Sequence, residues 1–260
     1  MELGLSGKVA LVTGASRGIG RATALALATE GCDLLLTGRD QAALDDTAGA
    51  IKAKGRKAAI AAVDLRQPGT ERALIEAVER EFGTLDILVN NAGATKRGSF
   101  FELTDADWQD GYALKFFGHM RLVRLAWPLL KARKGSFVSI GGTSGRKPEA
   151  EFTIGSSVNA AVAAFTKCLA DLGKVDGVQV NCVHPSLVET ERQWKRIRAE
   201  VAATGETEDK VRERFVKKMG FIRYGKVEDV ADLITFLVSA RSTWMHGATI
   251  DLDGGELGVL

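Results

Sequence analysis

The chain has 260 residues, of which 45% are hydrophobic and 26% are charged, a composition typical of a globular α/β domain. Its net charge of +2 arises from interleaved basic and acidic residues, so nucleic acid is not an expected partner. The 3 cysteines lack metal-ligand or disulfide spacing, which favours a reducing compartment and no metal site. No apolar run is long enough to span a membrane and the N-terminus lacks signal-peptide features, so we expect a cytoplasmic protein.

Short apolar runs alternate along the chain with longer amphipathic stretches, which predicts a parallel sheet joined by crossover helices. Several of these runs are apolar almost throughout, as expected for strands that are covered on both faces. We therefore predict one doubly wound α/β domain over residues 1–260. The predicted strands are Lys8–Thr13, Asp33–Thr37, Lys57–Val63, Ile87–Asn90, Ser136–Ile140, Val178–Val183 and Ala248–Leu252.

The first predicted strand leads into a glycine-rich turn, Thr13–Gly20, and a helix rich in alanine and leucine follows. Glycine lets a backbone turn tightly and approach a pyrophosphate, and the next helix presents free N–H groups and the positive end of its dipole. Because a strand precedes the turn and a helix follows it, the turn predicts a dinucleotide site. The residues expected to contact the dinucleotide here are Gly14, Ser16, Arg17, Gly18, Ile19 and Gly20.

The end of the second predicted strand indicates which dinucleotide binds. Proteins that bind NAD usually have an acidic residue there to accept a hydrogen bond from the ribose 2′-hydroxyl. This chain has Gly38 followed by Arg39, and Arg17 lies in the glycine turn. Arginine binds phosphate through paired, charge-assisted hydrogen bonds, so two arginines suit a 2′-phosphate. We therefore predict NADP(H), with NAD(H) as the less favoured alternative.

Three segments of the second half are predicted to be helical. A long helix over Asp105–Lys134 contains Pro128, which should kink it or mark its last turns. A second helix over Phe152–Leu172 has apolar residues at helical spacing. The charged segment of residues 189–220 follows the sixth strand, where ligands of such sheets bind. This segment is either a solvated helical pair or a lid over the site, and its length favours the lid.

Several motifs extend the glycine turn to a family. Asn90–Gly93 reads N-N-A-G, Val180–Pro185 reads V-N-C-V-H-P, and Asp251–Gly255 ends in D-G-G. With these motifs the chain resembles the short-chain dehydrogenase/reductase superfamily over essentially its whole length. The resemblance implies a Rossmann-type sheet of seven parallel strands with helices on both faces, a small-molecule substrate, and a homotetramer or homodimer. Further cofactor contacts that it implies are Asp64, Leu65, Asn91, Ala92, Gly93, Asn159, Pro185 and Val188.

The positions of the family's catalytic tetrad hold other residues. Relatives carry an asparagine on the long helix, a serine after the fifth strand, and the tyrosine and lysine of Y-x-x-x-K. Aligned on the motifs, these positions fall on Lys115, Gly142, Gly155 and Asn159. Glycine has no proton to donate, and asparagine has no charge to depress a neighbouring pKa. The reaction of the family therefore cannot proceed here in its usual form.

One interpretation is that catalysis has been rebuilt from other groups. Replacement of the tyrosine by Gly155 leaves a space, and the long Lys115 side chain on the facing wall is expected to project into it. A desolvated lysine shifts its pKa readily and can donate a proton. Tyr112 lies one helical turn before it. Thr143 and Ser144 follow the lost serine and have hydroxyls that can bind a substrate oxygen.

Two other interpretations stay open from the sequence. The chain is a catalytically inactive module that binds NADP(H), acting as a sensor or an inactive subunit, or it is a lyase or isomerase that uses the same pocket. In the last case His184, which precedes Pro185, is a candidate base. The rebuilt oxidoreductase is preferred because the motifs that seat a reactive nicotinamide are retained. The sequence names no substrate.

Overall fold

The computed structural model describes residues 2–258 of the chain. A parallel sheet of seven strands lies at its centre, in the order β3-β2-β1-β4-β5-β6-β7. The strands are β1 (Val9–Thr13), β2 (Asp33–Gly38), β3 (Ala58–Ala62), β4 (Ile87–Asn90), β5 (Ser136–Ile140), β6 (Gln179–Pro185) and β7 (Thr249–Leu252). The predicted doubly wound fold is confirmed, and the predicted strands differ from these only at their ends.

Helices cover both faces of the sheet. Leu11 and Val12 show why the strands are apolar on both sides: the two residues point to opposite faces, and neither is exposed. Helices α1, α2 and α9 pack on one face, and α3, α5 and α6 pack on the other. The helices are α1 (Gly18–Thr29), α2 (Gln41–Lys52), α3 (Thr70–Phe82), α4 (Asp105–Tyr112), α5 (His119–Arg133), α6 (Thr153–Asp176), α7 (Glu191–Thr204), α8 (Glu208–Met219) and α9 (Val227–Leu237).

The long helix predicted over Asp105–Lys134 is interrupted, which corrects the sequence interpretation. Helix α4 ends at Tyr112, a π-helical segment spans Ala113–Gly118, and α5 continues from there. Such π-helical turns are rare and occur frequently at functional sites. Pro128 lies in the last turns of α5, as predicted. The interruption matters because Lys115 belongs to the π-helical segment.

The charged segment after β6 forms two helices, α7 and α8, which pack against each other. Their contact is a small apolar cluster of its own, whose buried members are Ile197, Val211, Phe215 and Tyr224. Thr190 caps α7 by accepting a hydrogen bond from the Gln193 N–H at 3.4 Å. The helical pair predicted for this segment is therefore present, and α7 begins beside the sheet edge where β6 ends.

The strand order defines a crevice at one edge of the sheet. The chain builds β1, β2 and β3 outward in one direction and then returns to place β4 on the other side of β1. At such a switch point the loops after the two central strands diverge and leave a crevice beyond their carboxyl ends. The glycine turn after β1 and the Asn-Asn-Ala-Gly segment after β4 form its two walls.

Between residues 2 and 258, no helix is long and apolar enough to cross a membrane. In the same part of the chain, no group of three or more His, Cys, Asp or Glu side chains is arranged to hold a metal ion. The cytoplasmic location stays a prediction from the sequence.

Candidate active site

The two walls of the crevice are joined by hydrogen bonds from Thr13 and Asn91. The backbone N–H groups of Asn91 and Ala92 both donate to Thr13 Oγ1, each at 2.9 Å. The Asn91 side chain donates back to the Thr13 carbonyl at 2.9 Å. These bonds fix the loop after β4 to the glycine turn, so the two walls hold a constant separation.

The glycines of the turn meet backbone requirements that other residues do not. Gly14 and Gly18 have φ values of 67° and 55°, in the left-handed region. A Cβ atom at Gly20 would lie 2.2 Å from the Gly14 carbonyl oxygen. Backbone therefore packs against backbone without side chains between, which leaves the surface of the turn open to a pyrophosphate. The turn fits a dinucleotide on its geometry as well as on its sequence.

The remaining predicted cofactor contacts lie around this crevice. Arg17 and Arg39 are both exposed, and Arg39 lies 3.8 Å from an Asp64 carboxylate oxygen. This ion pair is long and solvated, so it leaves the Arg39 guanidinium able to bind a phosphate. The other predicted contacts lie on the turn, at the start of α1, within α6, at the end of β6, or on the loops after β3, β4 and β6. They are Ser16, Ile19, Leu65, Gly93, Asn159, Pro185 and Val188.

Lys115 lies at one of the four positions that the family resemblance aligns with the catalytic tetrad. Its ammonium donates to the Gly141 carbonyl oxygen at 2.9 Å and to Asn159 Oδ1 at 2.6 Å. Its aliphatic stem passes over Gly93, where a Cβ atom would lie 3.0 Å from Lys115 Cδ. The side chain is therefore fixed across the crevice by contacts with three separate segments. Since an ammonium has three N–H donors, these two bonds leave one for a ligand.

The environment of Lys115 favours its neutral form. Burial, together with the positive charge of Arg192, lowers the pKa of Lys115 from 10.5 to about 7. The Lys115 residue as a whole is nonetheless partly exposed. A group with this pKa exchanges a proton readily near neutral pH.

Lysine and asparagine are exchanged in this chain relative to the tetrad of the family, since Lys115 stands at the asparagine position and Asn159 at the lysine position. The Asn159 amide accepts from Lys115 and donates to Ser144 Oγ at 2.9 Å, which forms a chain of three polar groups. A Cβ atom at Gly142 would lie 2.7 Å from Asn159 Nδ2, so a serine there would displace the amide. The loss of the serine and the exchange of lysine and asparagine are therefore structurally coupled.

The space at Gly155 is filled by Phe152. A Cβ atom at Gly155 would lie 2.1 Å from Phe152 Cζ, so the phenyl ring covers the place from which a tyrosine would project. The expectation that Lys115 enters this space is wrong, because its ammonium is held by Gly141 and Asn159 instead. The Phe152 ring is itself covered by Arg97, whose guanidinium lies 4.2 Å from the ring centroid.

Tyr112 and His184 do not face the crevice as reactive groups. Tyr112 packs in an apolar cluster with Trp108, and their ring centroids are 6.4 Å apart. His184 is 1% exposed and packs under Gly141, whose Cβ position is 2.4 Å from its ring. Burial lowers the pKa of His184 to about 4, so its imidazole is neutral at pH 7.

Two side chains at the site were missed by the sequence interpretation. Arg192, in the first turn of α7, donates to the Gly93 carbonyl oxygen and so links α7 to the loop after β4. Glu256, near the C-terminus, accepts a hydrogen bond from Thr143 Oγ1 at 3.0 Å. The sequence contained only a weak signal for either, since Arg192 is one of several basic residues on α7 and Glu256 lies beyond the last strand.

Comparison with known proteins identifies the family. The family model for short chain dehydrogenases matches residues 8–201. The chain therefore belongs to the short-chain dehydrogenase family, and the resemblance inferred from the motifs is confirmed.

Relatives and solved structures cover nearly all of the chain. It is 31% identical to 2,3-dihydro-2,3-dihydroxybenzoate dehydrogenase of Bacillus subtilis (strain 168), over 98% of both sequences. It is 30% identical to the 3-oxoacyl-acyl-carrier-protein reductase FabG of Escherichia coli (strain K12), over 97% of this chain and 98% of that protein. L-sorbose reductase from Gluconobacter frateurii, solved with NADPH and L-sorbose, is 32% identical, with a TM-score of 0.97 and full coverage of both chains.

Proposed function

We propose that this protein is an NADP(H)-dependent oxidoreductase that reduces a carbonyl group and uses Lys115 as its general acid. The observation that carries this proposal is the Lys115 ammonium, fixed at 2.9 Å from the Gly141 carbonyl oxygen and 2.6 Å from Asn159 Oδ1. Relatives supply the proton from a tyrosine that this chain lacks. A lysine whose pKa is about 7 is suited to the same step near neutral pH.

Each residue of the site has a separate role in the proposed reduction. Bound NADPH supplies the hydride that reduces the carbonyl carbon. Lys115 directs its third N–H at the carbonyl oxygen and transfers a proton to it, so that the substrate leaves as an alcohol. Asn159 and Gly141 hold the amine in place before and after the transfer, and Ser144 holds the Asn159 amide. In the reverse direction neutral Lys115 accepts the proton from the alcohol.

The choice of NADP(H) rests on the charges around the crevice. Arg17 and Arg39 lie after neighbouring parallel strands, and the second strand ends without the acidic residue that suits NAD. Solved relatives with NADPH or NADP support the same choice. In a fluorescence titration we expect NADPH to bind at least about tenfold more tightly than NADH, since each 2′-phosphate contact is a charge-assisted hydrogen bond. Equal affinities would contradict the proposal.

The activity is tested on carbonyl compounds with the reduced cofactor. Ketones, aldehydes and activated alkenes form the panel, and ketoses belong in it because one similar structure holds L-sorbose. Lys115→Met keeps the length of the stem and removes the ammonium, so we expect the rate to fall by about 10²- to 10⁴-fold. Lys115→Arg keeps the charge, but a guanidinium does not release a proton at neutral pH, so this variant should lose the activity as well. Lys52→Met, on the exposed side of α2, is the matched control and should leave the rate unchanged.

A second candidate is a catalytically inactive protein that binds NADP(H). Phe152 favours it, because an apolar ring stands where the proton donor of the family would project. On this view Lys115 is a structural replacement for the charge that Asn159 lacks. Tight NADPH binding together with no turnover across the panel would favour this candidate. Turnover that depends on Lys115 would exclude it.

We also infer that the chain assembles into a homodimer or homotetramer, as its family resemblance implies. Apolar side chains that are exposed on the π-helical segment and on α6 support this, among them Phe117 at 45%, Leu172 at 57% and Val175 at 86%. Sedimentation analysis tests the inference. A monomer at micromolar concentration would contradict it.

A further inference from the structure

The C-terminal segment folds into a turn that places Glu256 at the site. The Asp253 carboxylate accepts hydrogen bonds from the N–H groups of Gly255 at 3.0 Å and Leu257 at 2.8 Å. Gly254 and Gly255 have φ values of 62° and 93°, which L residues rarely adopt. The Asp-Gly-Gly sequence therefore has a local role, because it reverses the chain and directs Glu256 back toward the sheet.

Glu256 is held by hydroxyls from two neighbouring strands. Thr143 follows β5 and Ser186 follows β6, and these parallel strands end at the same edge of the sheet. Both hydroxyls donate to the same oxygen, Glu256 Oε2, with Thr143 Oγ1 at 3.0 Å. The other oxygen, Oε1, has no hydrogen-bond partner within residues 2–258, and the side chain is partly exposed. The carboxylate is therefore oriented, with one oxygen left to accept a bond from a ligand.

The Glu256 carboxylate is held by two residues that directly follow positions of the site in sequence. Thr143 directly follows Gly142, which contacts the Asn159 amide that holds Lys115. Ser186 directly follows Pro185, which the family resemblance places by the nicotinamide. Glu256 and Lys115 thus approach the loop around Gly142 from different elements. A substrate whose carbonyl meets Lys115 would present its neighbouring atoms to Glu256.

The surrounding charges restrict what Glu256 can bind. A carboxylate accepts hydrogen bonds from hydroxyl or ammonium groups. The basic groups at the crevice, Lys115 and Arg192, would repel a cationic substrate, and Glu256 itself would repel an anionic one. An uncharged group with hydroxyls satisfies the carboxylate and is not repelled by either sign.

We propose that Glu256 binds a hydroxyl group of the substrate beside the reacting carbonyl, and that the substrate is an uncharged hydroxylated ketone or aldehyde. This rests on the proposed function for the identity of the reacting group, but the binding of the hydroxyl does not require turnover. The Glu256 carboxylate selects by hydrogen bonding, since an analogue without the hydroxyl leaves its Oε1 without a partner.

The test compares a ketose with an analogue that lacks its hydroxyls. Erythrulose and butan-2-one have the same carbon chain and a carbonyl at the same position. Calorimetric binding to the protein–NADPH complex, and kcat/KM where turnover occurs, should favour erythrulose. Glu256→Gln should lower this preference by about 10- to 100-fold, as expected for loss of one charge-assisted hydrogen bond. Ser186→Gly, which removes one of the two hydroxyls that hold the Glu256 carboxylate, should lower this preference less.

The controls separate this proposal from the others. Glu76→Gln changes an exposed carboxylate on α3 and should leave the preference unchanged. In Lys115→Met protein, the preference in binding should persist even though turnover is lost, so failure of the catalytic proposal is distinguishable. An unchanged preference in Glu256→Gln would overturn the proposal. So would equal losses for both ketones with a lower melting temperature, or wild-type protein that binds neither ketone.

Discussion

The position of the Phe152 ring predicts how substitution of Gly155 changes the stability of the protein. Alanine is favoured over glycine within a helix by about 0.5–1 kcal/mol, so Gly155→Ala should stabilise α6 if its surroundings were empty. The new Cβ atom would instead lie 2.1 Å from Phe152 Cζ, far inside ordinary contact distance. Displacing a packed ring costs about 1–3 kcal/mol. We therefore expect Gly155→Ala to lower the free energy of unfolding by about 0.5–2 kcal/mol, from the difference of these two effects.

A double-mutant cycle with Phe152→Ala isolates this contact. Once the ring is removed, the same Gly155→Ala change should become stabilising by about 0.5–1 kcal/mol. The coupling energy between the two positions is then about 1–3 kcal/mol, measured by urea unfolding of the wild type, both single variants and the double variant. If Gly155→Ala stabilises the protein equally in both backgrounds, the ring does not occupy this space and the account of the lost tyrosine is wrong.

Two further predictions concern helix α7 and the buried histidines. Arg192→Ala removes the hydrogen bond from α7 to the Gly93 carbonyl oxygen and a cation near the crevice. NADPH should therefore dissociate several-fold faster, as measured by stopped-flow fluorescence. Arg198→Ala, on the same helix, is the control and should not change the dissociation rate. Burial lowers the pKa of His119 and of His184 to about 4, below the usual 6.5. Between these two pH values the unfolded state binds more protons than the folded state. The free energy of unfolding should therefore fall as the pH drops from about 6.5 to 4. Each histidine contributes up to about 3 kcal/mol, and His119→Gln should reduce the slope in urea unfolding series; an unaltered slope would contradict the assignment.

The strands and the cofactor turn were predictable because their signals are local. The residues of β1 are buried on both faces, so the strand reads as one apolar run. The backbone geometry of the turn after it requires glycine at positions 14, 18 and 20. This requirement is visible in the sequence as a regular spacing of glycines. The loss of the tetrad was equally local, since it concerns which residue stands at a motif position.

The rest of the site depends on contacts between distant segments. The exchange of Lys115 and Asn159 involves α6 and the π-helical segment, which are far apart in sequence. Phe152 fills the space at Gly155 because of the conformation before α6, which no periodicity describes. Glu256 reaches the site through a turn whose target, Thr143, is 113 residues away. Such pairings are fixed by packing and backbone direction. The sequence alone therefore indicated candidate site residues but not the residues that they contact.

The interruption at Ala113–Gly118 has a comparable cause. The predicted helical pattern continued through this segment, since a π-helical turn adds a residue to the repeat without changing the residue types. The close approach of Gly118 to the Leu65 carbonyl oxygen, 3.0 Å from its Cβ position, shows the packing that accompanies it. Lys115 lies within this turn, so the local geometry of the helix sets the direction of the ammonium.

The pH dependence of carbonyl reduction tests the central role of Lys115 most directly. Reduction requires the protonated amine, so kcat/KM for the wild type should be constant at low pH and fall as pH rises through about 7. Oxidation of the alcohol requires the neutral amine and should rise through the same pH. Lys115→Met should lose both transitions together with most of the rate. A transition near pH 7 that survives in Lys115→Met, or a variant that retains the wild-type rate, would contradict the account.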